Sequence, residues 1–429
     1  MAANQVWYIP FTITTSSNLT WDNSAPIVWM NLKNTAITSS AVGTLEKGGW
    51  VIGNTAMAGF YRVNYDLENW NNILNQLLSD YTKIHTINRG QVMDDLFNLL
   101  RGDIRPVNIA LAMTSTTYLS SETDYMPLSV GIRHLEYISY MLARSEFFGI
   151  YREYIIKLLT PVYNRMGWTD TGKQMERFTR IKVLTFMCSL NYRPCVLKGL
   201  ELFDQWKASP TPDQVNPIPD NLREPVYMAA IKYGPDSNWD FLYARSRQSR
   251  VASDRQRMLR ACANTRTPWL VNRLLRYTLD QTQVRYEDAP TVMAACGFTP
   301  AGRTLAWDWL RANWQAVYDR FGQLSYYMSD IIDKVTMRFN SQFELSSLID
   351  WINRQEHLGT GTRAFERAVE KTRANIRWLE NNEAPLGEWL NVERTRPTRD
   401  GSPTRDGSLD SGDHTGHENQ TFVDPFASS

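Results

Sequence analysis

Over residues 5–66 apolar and polar positions alternate with a period near two. Trp7, Ile9, Phe11 and Ile13 share one side of an extended chain, and further apolar runs cover residues 27–30, 50–53 and 60–65. Glu46, Lys47, Gly48 and Gly49 supply a turn ahead of Trp50. This predicts four strands at most, whereas a two-layer sandwich takes about seven. Residues 1–66 therefore read as a partial β-sandwich domain with an unpaired edge, in a chain that begins inside that domain.

At Asp66 the period lengthens to 3.6 and holds for more than three hundred residues. Leu67, Trp70, Leu74, Leu77 and Tyr81 fall on one helical face. Val92, Leu96 and Leu99 mark a second helix, and further helices are predicted over residues 110–118, 130–143 and 151–162. Loops such as residues 209–220, with Pro210, Pro212, Pro217 and Pro219, punctuate the series. No fixed consensus repeats, which excludes ankyrin and tetratricopeptide arrays. The expected fold is mainly α: residues 67–390 form an irregular α-solenoid of HEAT- or armadillo-like hairpins behind the small partial β-sandwich. Residues 391–429 turn to Thr, Arg, Asp, Gly, Ser and Pro and read as a disordered low-complexity tail.

Composition narrows the function classes. Forty-six basic against forty-five acidic residues give a net charge of +1, which supplies no field for nucleic acid. No run approaches the roughly 20 apolar residues of a membrane-spanning helix, and the first residues carry no signal-peptide pattern. Four cysteines, Cys188, Cys195, Cys262 and Cys296, are compatible on number alone with buried thiols or with disulfides.

Candidate chemistry is sparse. The run from Gly167 to Gln174 has phosphate-loop spacing but places Gln174 where Ser or Thr must hold magnesium, and it follows a predicted helix rather than a strand. It reads as a loop between helices. His85, His134 and His357 are isolated, while His414 and His417 lie in the tail, so no zinc site with a glutamate base can be assembled. Asp94 and Asp95 form a carboxylate pair of the kind common on solvated helix faces. There is no Gly-x-Ser-x-Gly nucleophile elbow.

One resemblance is specific. Trp50 to Asn54 followed by Gly59 to Asp66; Ile87, Asn88 and Arg89 with Gln91, Asp94, Asp95 and Phe97; Tyr118 and Leu119 with Glu122, Thr123, Asp124, Tyr125 and Pro127; and Leu305 to Asp308 with Asn313 and Trp314 occur in this order. Gly361 to Ala364 and Glu370 to Thr372, with Ala374, Asn375, Ile376 and Trp378, complete the series. Together they closely resemble the aminopeptidase N family of gluzincin zinc aminopeptidases, over residues 5 to about 390.

The resemblance implies the helical C-terminal domain with part of the preceding β-sandwich, and an absent catalytic domain. The family's zinc motif, His-Glu-x-x-His with a downstream Glu, and its Gly-x-Met-Glu-Asn loop do not occur here. Zinc thus belongs to the full-length family, with no catalytic or metal residue expected in this chain. The implied role is peptide binding and closure of the active-site cavity, inactive alone; the alternative is a non-catalytic helical-repeat interaction or peptide-binding module. By resemblance, the stretch after Gly322 faces the peptide cavity, which makes Tyr326 and Asp330 candidate substrate contacts, and the cysteines pair as Cys188 to Cys195 and Cys262 to Cys296. The expected setting is extracellular or at the cell surface, with sequons at Asn18 and Asn419. Peptides are the expected partners, nucleic acid is not, and a homodimer is compatible with the family.

Overall fold

The computed structural model describes residues 7–21, 26–31, 45–212 and 214–396. The N-terminal part is two small antiparallel ladders. β1 (Ile9–Phe11) pairs with β3 (Val28–Met30), setting Ile9 opposite Met30 and Phe11 opposite Val28. β2 (Ile13–Thr15) pairs with β4 (Val51–Gly53), setting Ile13 opposite Gly53. The expected single strand through Ile13 is therefore split between two sheets. Thr12 marks the break: its carbonyl accepts from Asn54 N (2.9 Å) and its hydroxyl from Thr55 N (2.9 Å). Gly48, at φ +83°, supplies the predicted turn before β4.

The edge of β4 is covered. Asn69 on α1 (Leu67–Asp80) accepts from Val51 N and donates to Val51 O, both at 2.8 Å. Asn72 donates to Gly49 O (2.9 Å), and Trp50 Nε1 donates to Gln76 Oε1 (3.3 Å). One polar stripe of α1 thus satisfies backbone groups that a neighbouring strand would otherwise take. The opposite stripe, Trp70, Ile73, Leu74 and Leu77, is buried at helical spacing, while Leu67, expected on that face, is exposed in the first turn.

Residues 60–65 are not a strand. Aromatic and β-branched residue types suggested one, but this segment is an extended strap held by side chains. Tyr61 Oη donates to Pro10 O (3.0 Å), Tyr65 Oη accepts from Gly53 N (2.8 Å), and Arg62 reaches Asp94 (2.7 Å) and Asp95 (3.0 Å). Val63 N also donates to Asp95 (3.3 Å). Asp94 and Asp95 are accordingly not on a solvated face. Burial raises the Asp94 carboxyl, yet hydrogen bonds from His134 and Arg62 outweigh it and hold that group below the usual carboxylate range; burial pushes Asp95 up.

The rest is mainly α, with seventeen α-helices among the described residues. After α1 come α2 (Thr86–Arg101), α3 (Ile109–Thr114), α4 (Tyr125–Met141), α5 (Phe148–Met166), α6 (Gln174–Ser189), α7 (Arg193–Lys207) and α8 (Arg223–Tyr233). Then follow α9 (Asp236–Gln248), α10 (Ala252–Ala263), α11 (Pro268–Tyr277), α12 (Ala289–Gly297), α13 (Gly302–Ala312), α14 (Trp314–Phe321), α15 (Ser325–Thr336), α16 (Gln342–Asn353) and α17 (Thr362–Thr395). The run from Gly167 to Lys173 is the loop between α5 and α6, with Gln174 opening α6, and Gly167 adopts φ +57°. Helices pack on partners close by in the chain, as α2 on α4, α7 on α8, α9 on α10 and α12 on α15. At 34 residues, α17 is roughly 50 Å long. It contacts α15 and α16 and also reaches back to α3 and α5, so the array bends round on itself. Its last turn includes residues 391–395, assigned to the tail from composition; the remainder of that tail, 397–429, lies outside the described residues, with Asn419, His414 and His417.

Cys188 at the end of α6 is bonded to Cys195 in the first turn of α7, across a turn in which Asn191 takes φ +59°. The second expected pair is not formed. Cys262 on α10 and Cys296 on α12 are free thiols, completely buried. Burial pushes the Cys262 thiol well up, with the neighbouring Cys296 adding to it, and pushes Cys296 up to about 12, so both stay protonated in an apolar core. Native protein is expected to yield a linked 188/195 peptide on non-reducing mass mapping and to resist iodoacetamide at Cys262 and Cys296 until unfolded. Reducing the short 188/195 loop is expected to cost about 2 kcal/mol of stability.

Candidate functional site

Where the array bends round, α2, α4, α5, α6, α8 and α17 enclose a cavity of about 690 Å³, completed by residues just beyond the ends of α12 and α15. This is the size range of small-ligand sites. Helical spacing builds its walls: Lys371, Ala374, Asn375 and Trp378 lie at i, i+3, i+4 and i+7 on α17, Met228 and Lys232 at i and i+4 on α8, and Tyr137 and Tyr140 at i and i+3 on α4. Tyr137 Oη donates to Asn375 Oδ1 (3.2 Å), tying the first third of the helical region to its last helix. Asn375 Nδ2 in turn donates to Met337 O (3.3 Å) and Phe339 O (2.9 Å), fixing the segment after α15 against α17.

The lining is apolar with a cationic bias. Arg101, Arg133, Lys232, Arg338 and Lys371 stand against one carboxylate, Glu136, which accepts from Lys182 (2.9 Å). The Arg338 guanidinium carbon lies 3.6 Å from the centre of the Tyr140 ring and 4.1 Å from that of Phe298. Burial pulls this group down to about 10, with partial recovery from Tyr140. Lys232 Nζ donates to Ser189 O (2.8 Å). Burial, and then the charges of Arg338 and Arg266, pull its ammonium down to about 8. Such a chamber can hold an extended, partly apolar ligand carrying negative charge.

Tyr326 and Asp330, the substrate contacts expected from the sequence, are both on α15, and neither lines this cavity. Tyr326 is exposed with its ring 4.1 Å from Tyr327, and Asp330 is half-buried with its carboxyl raised by burial. Nor do the described histidines converge. His134 stacks on Phe97 at 4.7 Å with Nε2 2.9 Å from Asp94, His85 stacks on Trp21 at 5.9 Å, and His357 is exposed. Among the described residues no three of His, Cys, Asp and Glu come together to hold a metal, so the residues present do not fit a zinc centre. No helix among them is long and apolar enough to cross a membrane.

Sequence reasoning passed over the cavity. The one local signal was Lys371 to Trp378, singled out as part of the last helix but not as a wall. Arg338 stands in no motif, and nothing local announces that Tyr140 and Phe298 flank it.

Residues 50–377 match the ERAP1-like C-terminal domain. The chain is 34% identical to aminopeptidase Ey of Gallus gallus over 392 residues, covering 88% of this chain and 40% of that protein. It is 35% identical to aminopeptidase N of Canis lupus familiaris over 349 residues, covering 80% and 35% respectively. Against the thyrotropin-releasing hormone-degrading ectoenzyme of Rattus norvegicus the identity is 30% over 399 residues, covering 90% and 36%. This chain thus spans about two fifths of the length of these relatives. Its polar motifs, its mainly helical fold and these matches agree: the chain belongs to the aminopeptidase N family and carries that family's ERAP1-like C-terminal domain.

Proposed function

We propose that this chain is the peptide-holding, cavity-closing part of a zinc metalloaminopeptidase that removes N-terminal residues from peptides, and that it performs no hydrolysis alone. The 690 Å³ chamber inside the helical array carries this reading: it is large, walled by apolar side chains, and supplied with a few fixed polar groups. The names of the relatives support the enzyme class. On this reading residues 1–66 act as a sandwich portion, residues 67–390 as the helical domain and the remainder as a tail. The Cys188–Cys195 bond supports an extracellular or cell-surface setting, and exposed Asn18 is a suitable glycan acceptor there.

Binding of a fluorescein-labelled extended peptide, followed by anisotropy, tests the placement. Met228→Trp fills the chamber from α8 and is expected to weaken binding about tenfold, a loss of ~1.4 kcal/mol, while Tyr326→Ala leaves it unchanged. Loss with Tyr326→Ala and none with Met228→Trp would move the site to the exposed side of α15, as the sequence suggested.

A further inference from the structure

Charge is unevenly distributed along this chain. Residues 245–285 carry ten arginines, no lysine and two acidic residues, Asp254 and Asp280, although the whole chain has a net charge of +1. The segment spans the end of α9, all of α10 and α11, and most of the loop leading to α12. That loop folds back against α9: Arg247 Nη2 donates to Thr282 O (3.0 Å) and Tyr243 Oη to Gln283 O (3.1 Å). Here lies a smaller cavity of about 140 Å³, and none of the residues lining the large chamber takes part in it.

Three of the ten arginines, Arg247 on α9, Arg255 on α10 and Arg285 on the loop, line this pocket. Asp288 is the one carboxylate among the lining residues, and it is already engaged: fully buried, it accepts from Arg255 Nε (2.5 Å) and Gln256 Nε2 (3.0 Å). Arg255 Nη2 comes no nearer than 3.7 Å to the exposed Glu287, too far for a hydrogen bond. Asp280 is held by the N–H (2.8 Å) and hydroxyl (2.7 Å) of Thr282. Arg247 and Arg285 are exposed, and neither forms an ion pair with any described residue. Two of the three positive charges at the pocket are thus uncompensated, and a bound anion relieves their mutual repulsion.

The arrangement selects the anion. Guanidinium groups brought in by two helices and a loop suit an acceptor with oxygens in several directions, as in sulfate or phosphate, better than a flat carboxylate that one fork satisfies. At roughly 30 Å³ per water, the pocket has room for a few waters or one such group. Leu259 and Val284, both buried, close it on the core side and keep bulk water from screening the charges there.

We propose that Arg247, Arg255 and Arg285 form a binding site for a tetrahedral oxyanion, a sulfate or phosphate group, where the α11–α12 loop meets α9, outside the large chamber. The group arrives as the free ion or as an ester on a sulfated glycan. The site does not depend on the peptide-holding reading.

The test is isothermal titration calorimetry on the full chain at fixed ionic strength, with sodium sulfate, sodium phosphate and a heparin-derived tetrasaccharide as probes. At least one is expected to bind with a Kd below about 10 mM, and sodium acetate to bind at least about tenfold more weakly. Arg285→Gln and Arg247→Gln are each expected to weaken binding about tenfold. Arg276→Gln removes an exposed arginine of the same segment that does not line the pocket, and is expected to change affinity less than about twofold. Arg285→Lys keeps the charge but not the fork and is expected to recover only part of the loss. The site stands whichever source is read: a tetrasaccharide bound at least about tenfold more tightly than sulfate identifies the ester, and sulfate or phosphate bound as tightly identifies the free ion. No heat from any probe up to about 10 mM, or acetate bound equally well, overturns the site. Equal losses with Arg276→Gln and Arg285→Gln also overturn it, because they report diffuse charge along the segment and no defined pocket.

Discussion

Leucyl and alanyl reporter substrates incubated with the purified chain are expected to stay intact, with or without added zinc. Cleavage by a zinc aminopeptidase needs three converging ligands, an open position for water and a base beside it. This sequence contains no His-Glu-x-x-His, and the three described histidines are engaged separately or exposed. Covalent chemistry has no better footing in the cavity. Ser139 Oγ donates to Leu135 O (3.0 Å) and Ser189 Oγ to Phe186 O (2.7 Å), so each hydroxyl is turned back onto its own helix with no base bonded to it. Activity is therefore expected to lie at least about six orders of magnitude below that of a complete enzyme. Turnover that survives repeated chromatography and disappears on chelation would overturn the assignment of the chemistry to other parts of the protein.

What could be read from the chain and what could not divides along a physical line. Helix α1 was legible because Trp70, Leu74 and Leu77 return to one face within a few residues, and the same local period marked the helices that follow. Residues 60–65 misled because β-branched and aromatic types fit a strap pinned by side chains as well as a paired strand; the decisive partners, Asp94 and Asp95, are on α2. Those carboxylates read as solvated from local sequence because the partners that cover them, Arg62 and His134, lie some thirty to forty residues away along the chain. The cavity is the extreme case. Its Tyr137–Asn375 hydrogen bond joins residues 238 positions apart, and the corner that seats Arg338 draws one ring from α4 and another from the end of α12. Local periodicity carries no information about such meetings. Resemblance carried some: the polar motif residues prove to be one another's partners, as Asn88 Nδ2 donates to Asn54 O (3.2 Å) and Gln91 Nε2 to Gly53 O (3.2 Å). Their role in this structure is to fasten the β region and strap to α2.

The strongest of these fastenings predicts the largest loss of stability. Arg89 holds Glu122 through two hydrogen bonds, Nε to Oε2 at 2.8 Å and Nη2 to Oε1 at 3.1 Å, with Glu122 fully buried. The same guanidinium donates to Ile84 O (2.8 Å) and Asp124 (2.6 Å), while Glu122 Oε1 also accepts from the backbone N–H of Thr123 and Asp124. Arg89→Met removes the positive partner and leaves a carboxylate in a space that water does not reach, at an expected cost of about 3–5 kcal/mol. The half-exposed Asp124 contributes little to that figure, because solvent screens its pairing. The double change Arg89→Met with Glu122→Leu removes the stranded charge as well and is expected to recover most of the loss, since a buried ion pair and a packed apolar pair are often close in stability. Urea unfolding followed by tryptophan fluorescence should therefore place the double variant between the single variant and the unaltered chain. A single variant within about 1 kcal/mol of the unaltered chain would show that water or a side-chain rearrangement reaches Glu122, and the buried pairing would no longer account for how α2 is held to the segment before α4.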